Sequence, residues 1–143
     1  MRRFILIAVV FLALGVGVAV ANAEEARVQT PYDSPVRVEM RLLDTAFKNL
    51  LTSLILNKPE AIKAPFVEVH KAKANTDAAL KKGEAKVPRN NDKMKEFVAL
   101  DTKFHKLLEE VIGAAGKGDM KKVQAVTHKI MDSCVQCHSQ YLF

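Results

Sequence analysis

The sequence predicts an all-α protein, an antiparallel up-down-up-down four-helix bundle built as one domain. Three observations carry that expectation. Apolar residues recur at intervals of three and four in four successive stretches, separated by short connections that carry Pro or Gly. No segment alternates apolar and polar residues with the period of two that a half-buried strand requires. Setting aside an N-terminal export signal leaves 120 of the 143 residues, enough for one modest core.

The signal reads from the first residues. Arg2 and Arg3 form a basic start, residues 4–20 are apolar without interruption, and Ala21-Asn22-Ala23 has the small-x-small pattern of a cleavage site. The expected product is a protein secreted across the inner membrane to the periplasm, cut after Ala23. An uncleaved anchor is the rival, since a run of 17 residues sits at the lower edge of what spans a bilayer. Residues 24–34 show no periodicity and read as an extended leader. The bundle is expected over residues 35–143.

Ser34 caps a helix with Pro35 in its first turn, a position where the missing N–H costs nothing. From there Val36, Met40, Leu43, Phe47, Leu50 and Leu54 recur at intervals of 4, 3, 4, 3 and 4, predicting a helix to about Asn57. Pro59 opens the second helix, Pro65 restarts or kinks it, and it runs to about Lys82 with Phe66, Val69 and Leu80 as core and several alanines as small positions. Gly83 ends it, and a loop to Asn91 follows. Asn91 or Asp92 is expected to cap the third helix, whose seam is Met94, Phe97 or Val98, Asp101, Phe104, Leu108 and Val111. An aspartate on an apolar seam is out of place. Gly113, Gly116 and Gly118 form the next turn, Asp119 caps the fourth helix, and its seam is Val123, Val126, Ile130, Cys134, Cys137 and Tyr141.

Charge narrows the partners. The signal carries two arginines and no acidic residue, so the +6 of the whole chain falls to +4. That mild excess lacks the clustered basic face and stacking aromatics of a nucleic-acid site. Lys81, Lys82, Lys86, Arg89 and Lys93 gather around the loop between the second and third helices. Their charge suits anionic groups or an acidic protein partner.

The chemistry concentrates at the end. Cys134, Val135, Gln136, Cys137 and His138 spell C-x-x-C-H, five residues before the carboxyl terminus. Two thiols three apart on a helix can each add to a vinyl group of one porphyrin, and His138 then offers a ring nitrogen to the iron. A redox C-x-x-C pair is expected at a helix start after a strand, whereas this motif ends a helical pattern. Zinc needs four ligands, and the chain offers two cysteines and four histidines spread along its length. One covalent haem c is the reading that fits, with a disulfide- or metal-stabilised secreted bundle as the alternative outside haem chemistry.

In such a bundle the start of the first helix lies beside the end of the fourth. Met40 and His138 each lie about 7–8 Å from that end, at about 1.5 Å per residue. Met40 is therefore the candidate sixth ligand, with core filler as its ordinary role. Leu43, Phe47 and Met94 are candidates for the distal pocket, and Met94, near the start of the third helix at the same end, is the reserve ligand. His70, His105 and His128 lie roughly 15–21 Å away by the same measure and read as surface or satisfied histidines. No nucleophile, base and orienter come together, so no catalysis is expected.

A secreted helical chain with C-x-x-C-H at its extreme C-terminus resembles the class II cytochromes c, the cytochrome c′ and cytochrome c-556 family. The match covers the mature chain in element order and is sharp at Cys134 to Tyr141. The resemblance implies thioethers at Cys134 and Cys137, a proximal His138, and a methionine ligand early in the first helix in six-coordinate members, which Met40 matches. Relatives often form homodimers. Many carry Arg or Lys after the aromatic matched by Tyr141, where this chain has Leu142, a departure that weakens the case for gas binding. The expected function is periplasmic one-electron transfer with His138 and Met40 as axial ligands; a five-coordinate protein binding NO or CO is the alternative.

Overall fold

The protein is described by a computed structural model over residues 34–142. The export signal, its cleavage point after Ala23 and all of the leader except Ser34 lie outside these residues. Four long helices account for most of the described chain: α1 Pro35–Ile55, α2 Lys63–Lys81, α3 Met94–Gly116 and α4 Met120–Tyr141. Short 3₁₀ turns at Pro59–Ala61 and Asn91–Lys93 precede α2 and α3. No strand occurs among the described residues. No helix among them is long and apolar enough to cross a membrane.

Local chemistry accounts for the helix ends. The Ser34 Oγ accepts from the Arg37 N–H at 3.3 Å with Pro35 in the first turn, so α1 starts where its cap predicts. It stops at Leu56 and Asn57, the latter at φ 53°, a left-handed conformation that asparagine tolerates. Pro59 belongs to the 3₁₀ turn, and Pro65 lies in the first turn of α2, where it interrupts nothing. Asp119 caps α4 by accepting from the Lys122 N–H at 2.9 Å.

Two expected boundaries shift. Neither Asn91 nor Asp92 caps α3. The Asn91 side chain instead bridges Val87, accepting from its N–H at 3.0 Å and donating to its carbonyl at 2.7 Å, which closes the preceding loop. The third helix also runs through Gly113 to Gly116, leaving the turn to Lys117 and Gly118. Continuous apolar contact from Val111 to Ala114 and Ala115 offsets the helix cost of those glycines.

α1 packs chiefly on α2, and α3 on α4. The main core holds Leu50, Ile62, Val69, Leu108, Val111 and Val123 with no measurable exposure, and Phe66, Val126 and Ile130 with almost none. Each such side chain contributes about 1.5–3 kcal/mol relative to an exposed one. A second cluster joins Val36, Ala79, Val87, Phe97 and Tyr141. It lies where the α2–α3 loop meets the end of α4. There the Arg89 N–H donates to the Tyr141 carbonyl at 3.1 Å, the Asn90 Nδ2 to the Gln140 carbonyl at 2.6 Å, and the Tyr141 hydroxyl to the Lys93 carbonyl at 3.2 Å.

The seam of α1 is rotated from its expected position. The buried stripe is Val36, Glu39, Leu43, Ala46, Leu50 and Ser53. Met40, Phe47 and Leu54 are only half-buried beside it. Leu80, Met94 and Phe104 are likewise half-buried, and Val98, Ala74 and Ala78 are exposed. Part of the apolar periodicity is thus only partly covered by protein.

Candidate functional site

Three of these half-buried side chains, Met40, Phe47 and Phe104, line a cavity of about 350 Å³, a size typical of small-molecule and cofactor pockets. Helical spacing builds each wall. Ile130, Cys134, Cys137 and His138 fall at i, i+4, i+7 and i+8 on α4, one face of the helix, and all four line the cavity. From α1, Met40, Leu43, Asp44 and Phe47 do the same at i, i+3, i+4 and i+7. Phe97, Leu100, Asp101, Phe104 and Leu108 form the α3 wall, and Phe66 is the contribution of α2. The alanines of α2, expected to make room for a bulky group, take no part in the lining; Ala72 and Ala79 are buried elsewhere.

Most of the predicted site is brought together. Cys134, Cys137, His138, Met40, Leu43 and Phe47 all face this one cavity. Met94 does not line it and packs against the Phe97 and Tyr141 cluster instead. None of Lys81, Lys82, Lys86, Arg89 and Lys93 lines the cavity. They are exposed around the loop tied to the end of α4.

Both cysteines are half-buried free thiols. Burial pushes the Cys134 thiol up from its ordinary value, against a smaller opposing pull from its own backbone. Cys137 is raised by burial and then by the negative charge of Asp101 and by Cys134. Thiols held protonated at neutral pH are the opposite of a C-x-x-C redox pair, whose first sulfur is made acidic by a helix N-terminus. The residues fit a haem c: two protonated thiols on one helical face, an adjacent imidazole, and an apolar cavity in front of them.

Asp101 belongs to the cavity wall and also to a buried polar cluster. His105 Nε2 lies 2.7 Å from Glu39 Oε1 and 3.6 Å from Asp101 Oδ1. Lys73 Nζ donates to Asp101 Oδ2 at 2.7 Å and to Asp77 at 2.8 Å. Burial raises the Asp101 carboxyl above its usual range, although Lys73 and His105 both pull it down. Glu39 Oε2 and His105 Nδ1 are buried without a hydrogen-bond partner.

The expectation of surface or satisfied histidines holds for two of three. His128 is exposed, and His70 Nδ1 pairs with the Phe66 carbonyl at 2.8 Å. His105 is 4 % exposed with one ring nitrogen unpaired. Glu39, Lys73 and His105 were invisible to a search among apolar seams. The available signal was the spacing of Asp101 and His105, one helical turn apart, with Glu39 on the alternative stripe of α1. No family model, curated protein or solved structure matches the chain.

Proposed function

We propose that the protein is a periplasmic c-type cytochrome that carries single electrons through one covalent haem, with its four helices arranged as an antiparallel up-down-up-down bundle of the class II cytochrome c type. The observation that carries this reading is the convergence of Cys134, Cys137 and His138 from α4 with Met40 from α1 on one apolar cavity. The bundle topology is supported by the hydrogen bonds that fasten the α2–α3 loop to the last turn of α4. The apolar run of residues 4–20 followed by Ala21-Asn22-Ala23 supports export.

Each residue then has a defined task. Cys134 and Cys137 would hold the macrocycle through thioethers, His138 would offer its iron a ring nitrogen, and Met40 would offer a thioether sulfur from α1. Bound haem supplies an iron that changes between ferric and ferrous states. Phe47, Phe66, Phe97 and Phe104 keep water from the cavity, and that exclusion limits solvent rearrangement when charge changes. Asp101 places a carboxylate in the wall, which favours the more positive oxidation state. The exposed basic residues around the α2–α3 loop suit an acidic redox protein. This reading assigns no substrate turnover.

A pyridine haemochrome of the isolated protein is expected to carry a c-type signal; its absence removes the reading. The ferric form is expected to be low-spin with a sulfur-ligation band at the red edge, lost in Met40→Ala. The five-coordinate alternative, binding NO or CO, draws on Leu43 and Phe47 lining the same cavity as Met40. A high-spin ferric spectrum that Met40→Ala leaves unchanged decides for it.

A further inference from the structure

The cluster of Glu39, Asp101 and His105 takes no part in holding the macrocycle, and its composition is foreign to a helical core. Glu39 is 0 % exposed, Asp101 7 % and His105 4 %. Acidic side chains are almost never buried this deeply without a compensating positive charge. Lys73 supplies one such charge, using the Oδ2 of Asp101 and the carboxylate of Asp77. Asp77 keeps 42 % of its side chain in solvent, so the buried formal charges with His105 neutral are Glu39 and Asp101 against Lys73, an excess of one negative.

A proton on His105 would balance it, but would leave the Glu39 Oε2 without a partner in the core. A divalent cation supplies positive charge to both buried carboxylates and uses that oxygen. One donor atom from each of Glu39, Asp101 and His105 lies within 4.8 Å of the others. Two edges of this triangle, 2.7 Å from His105 Nε2 to Glu39 Oε1 and 3.6 Å to Asp101 Oδ1, bracket the spacing that a shared metal demands. Ligands bound to zinc at about 2.0–2.2 Å stand roughly 3–3.5 Å apart. Asp101 keeps Oδ1 on the histidine side while Oδ2 serves Lys73.

We propose that Glu39, Asp101 and His105 form a buried site for one divalent transition-metal cation of the zinc type, with the Glu39 carboxylate binding through both oxygens. Imidazole and carboxylate donors suit zinc and its neighbours better than thiolate-seeking ions. The role is structural. α1 packs chiefly on α2 and α3 on α4, and this site joins α1, through Glu39, to α3, through Asp101 and His105. The metal is a brace between the two helix pairs.

The test uses the holoprotein, unfolded and refolded with zinc chloride so that burial does not bar entry, then dialysed and its metal counted. One zinc per chain is expected, with a raised melting temperature, and Glu39→Gln or His105→Gln is expected to weaken retention at least tenfold. X-ray absorption at the zinc edge of the wild-type protein is expected to show only nitrogen and oxygen donors, including an imidazole. That measurement decides the matter even where a variant fails to fold. A wild-type protein that retains no zinc, retention unchanged in both variants, or sulfur in the zinc shell each overturns the proposal. The haem reading stands or falls separately, on the haemochrome.

Discussion

Lys73 and Asp101 show how two partners of one ion pair respond differently to the same contact. Burial works against the charged lysine, but hydrogen bonds and charge from Asp101 and Asp77 outweigh it, and its pKa moves up from 10.5. At Asp101 burial wins over the lysine and the carboxyl also moves up. The two directions pull against each other, because a dominant pair would lower the acid. Depth decides: the Asp101 side chain is 7 % exposed and that of Lys73 18 %. A base whose folded pKa is raised contributes stability that is present below its unfolded value and lost as pH rises through the folded one. Stability against urea is therefore expected to fall above about pH 10.5, and Lys73→Met to flatten that alkaline limb. Urea melts of both proteins across that window check it. Asp101 was visible in the sequence as a misfit on an apolar seam. Of its partners, His105 follows one turn later on α3, but Glu39 and Lys73 come from two other helices and only the packing brings them in.

At the scale of elements, the helices were legible wherever cap and periodicity agreed. Ser34 with Pro35, and Asp119, begin their helices as the sequence indicates. The start of α3 was not legible, because Asn91 has two uses and the sequence does not say which one wins. Its amide closes the loop on Val87, and the cap is lost. The glycines at the end of α3 separate by backbone conformation. Gly113 is helical and a Cβ there would meet nothing within 4 Å, whereas Gly118 sits at φ +69°. Gly113→Ala is expected to stabilise the protein by about 1 kcal/mol, since alanine loses less backbone entropy in a helix. Gly118→Ala is expected to cost about 1–2 kcal/mol, since an L side chain resists the left-handed conformation. Equilibrium denaturation of the two variants is expected to move in opposite directions.

At the scale of the molecule, the last turn of α4 is held by the loop between α2 and α3. Tyr141 is 3 % exposed, stacks edge-on against Phe97 with ring centroids 5.2 Å apart, and bonds the loop through its hydroxyl and carbonyl. Tyr141→Ala is expected to cost about 3–5 kcal/mol, the range for a buried aromatic, and to speed amide exchange at Arg89 along with the end of α4. Unchanged exchange at Arg89 would show that the loop holds itself. The fold class and the face of α4 were readable from spacing alone. The cavity was not, because the same periodicity serves a side chain buried on all sides, such as Leu50, and one half-buried at a cavity wall, such as Met40.

The cavity also has a consequence for the order of assembly. Cys134 and Cys137 point inward, toward walls formed by α1 and α3. Both sulfurs are half-buried behind those walls, which narrow the approach of a large planar group. On the cytochrome reading, attachment would be easier on a chain whose fourth helix is still undocked, and closure would follow.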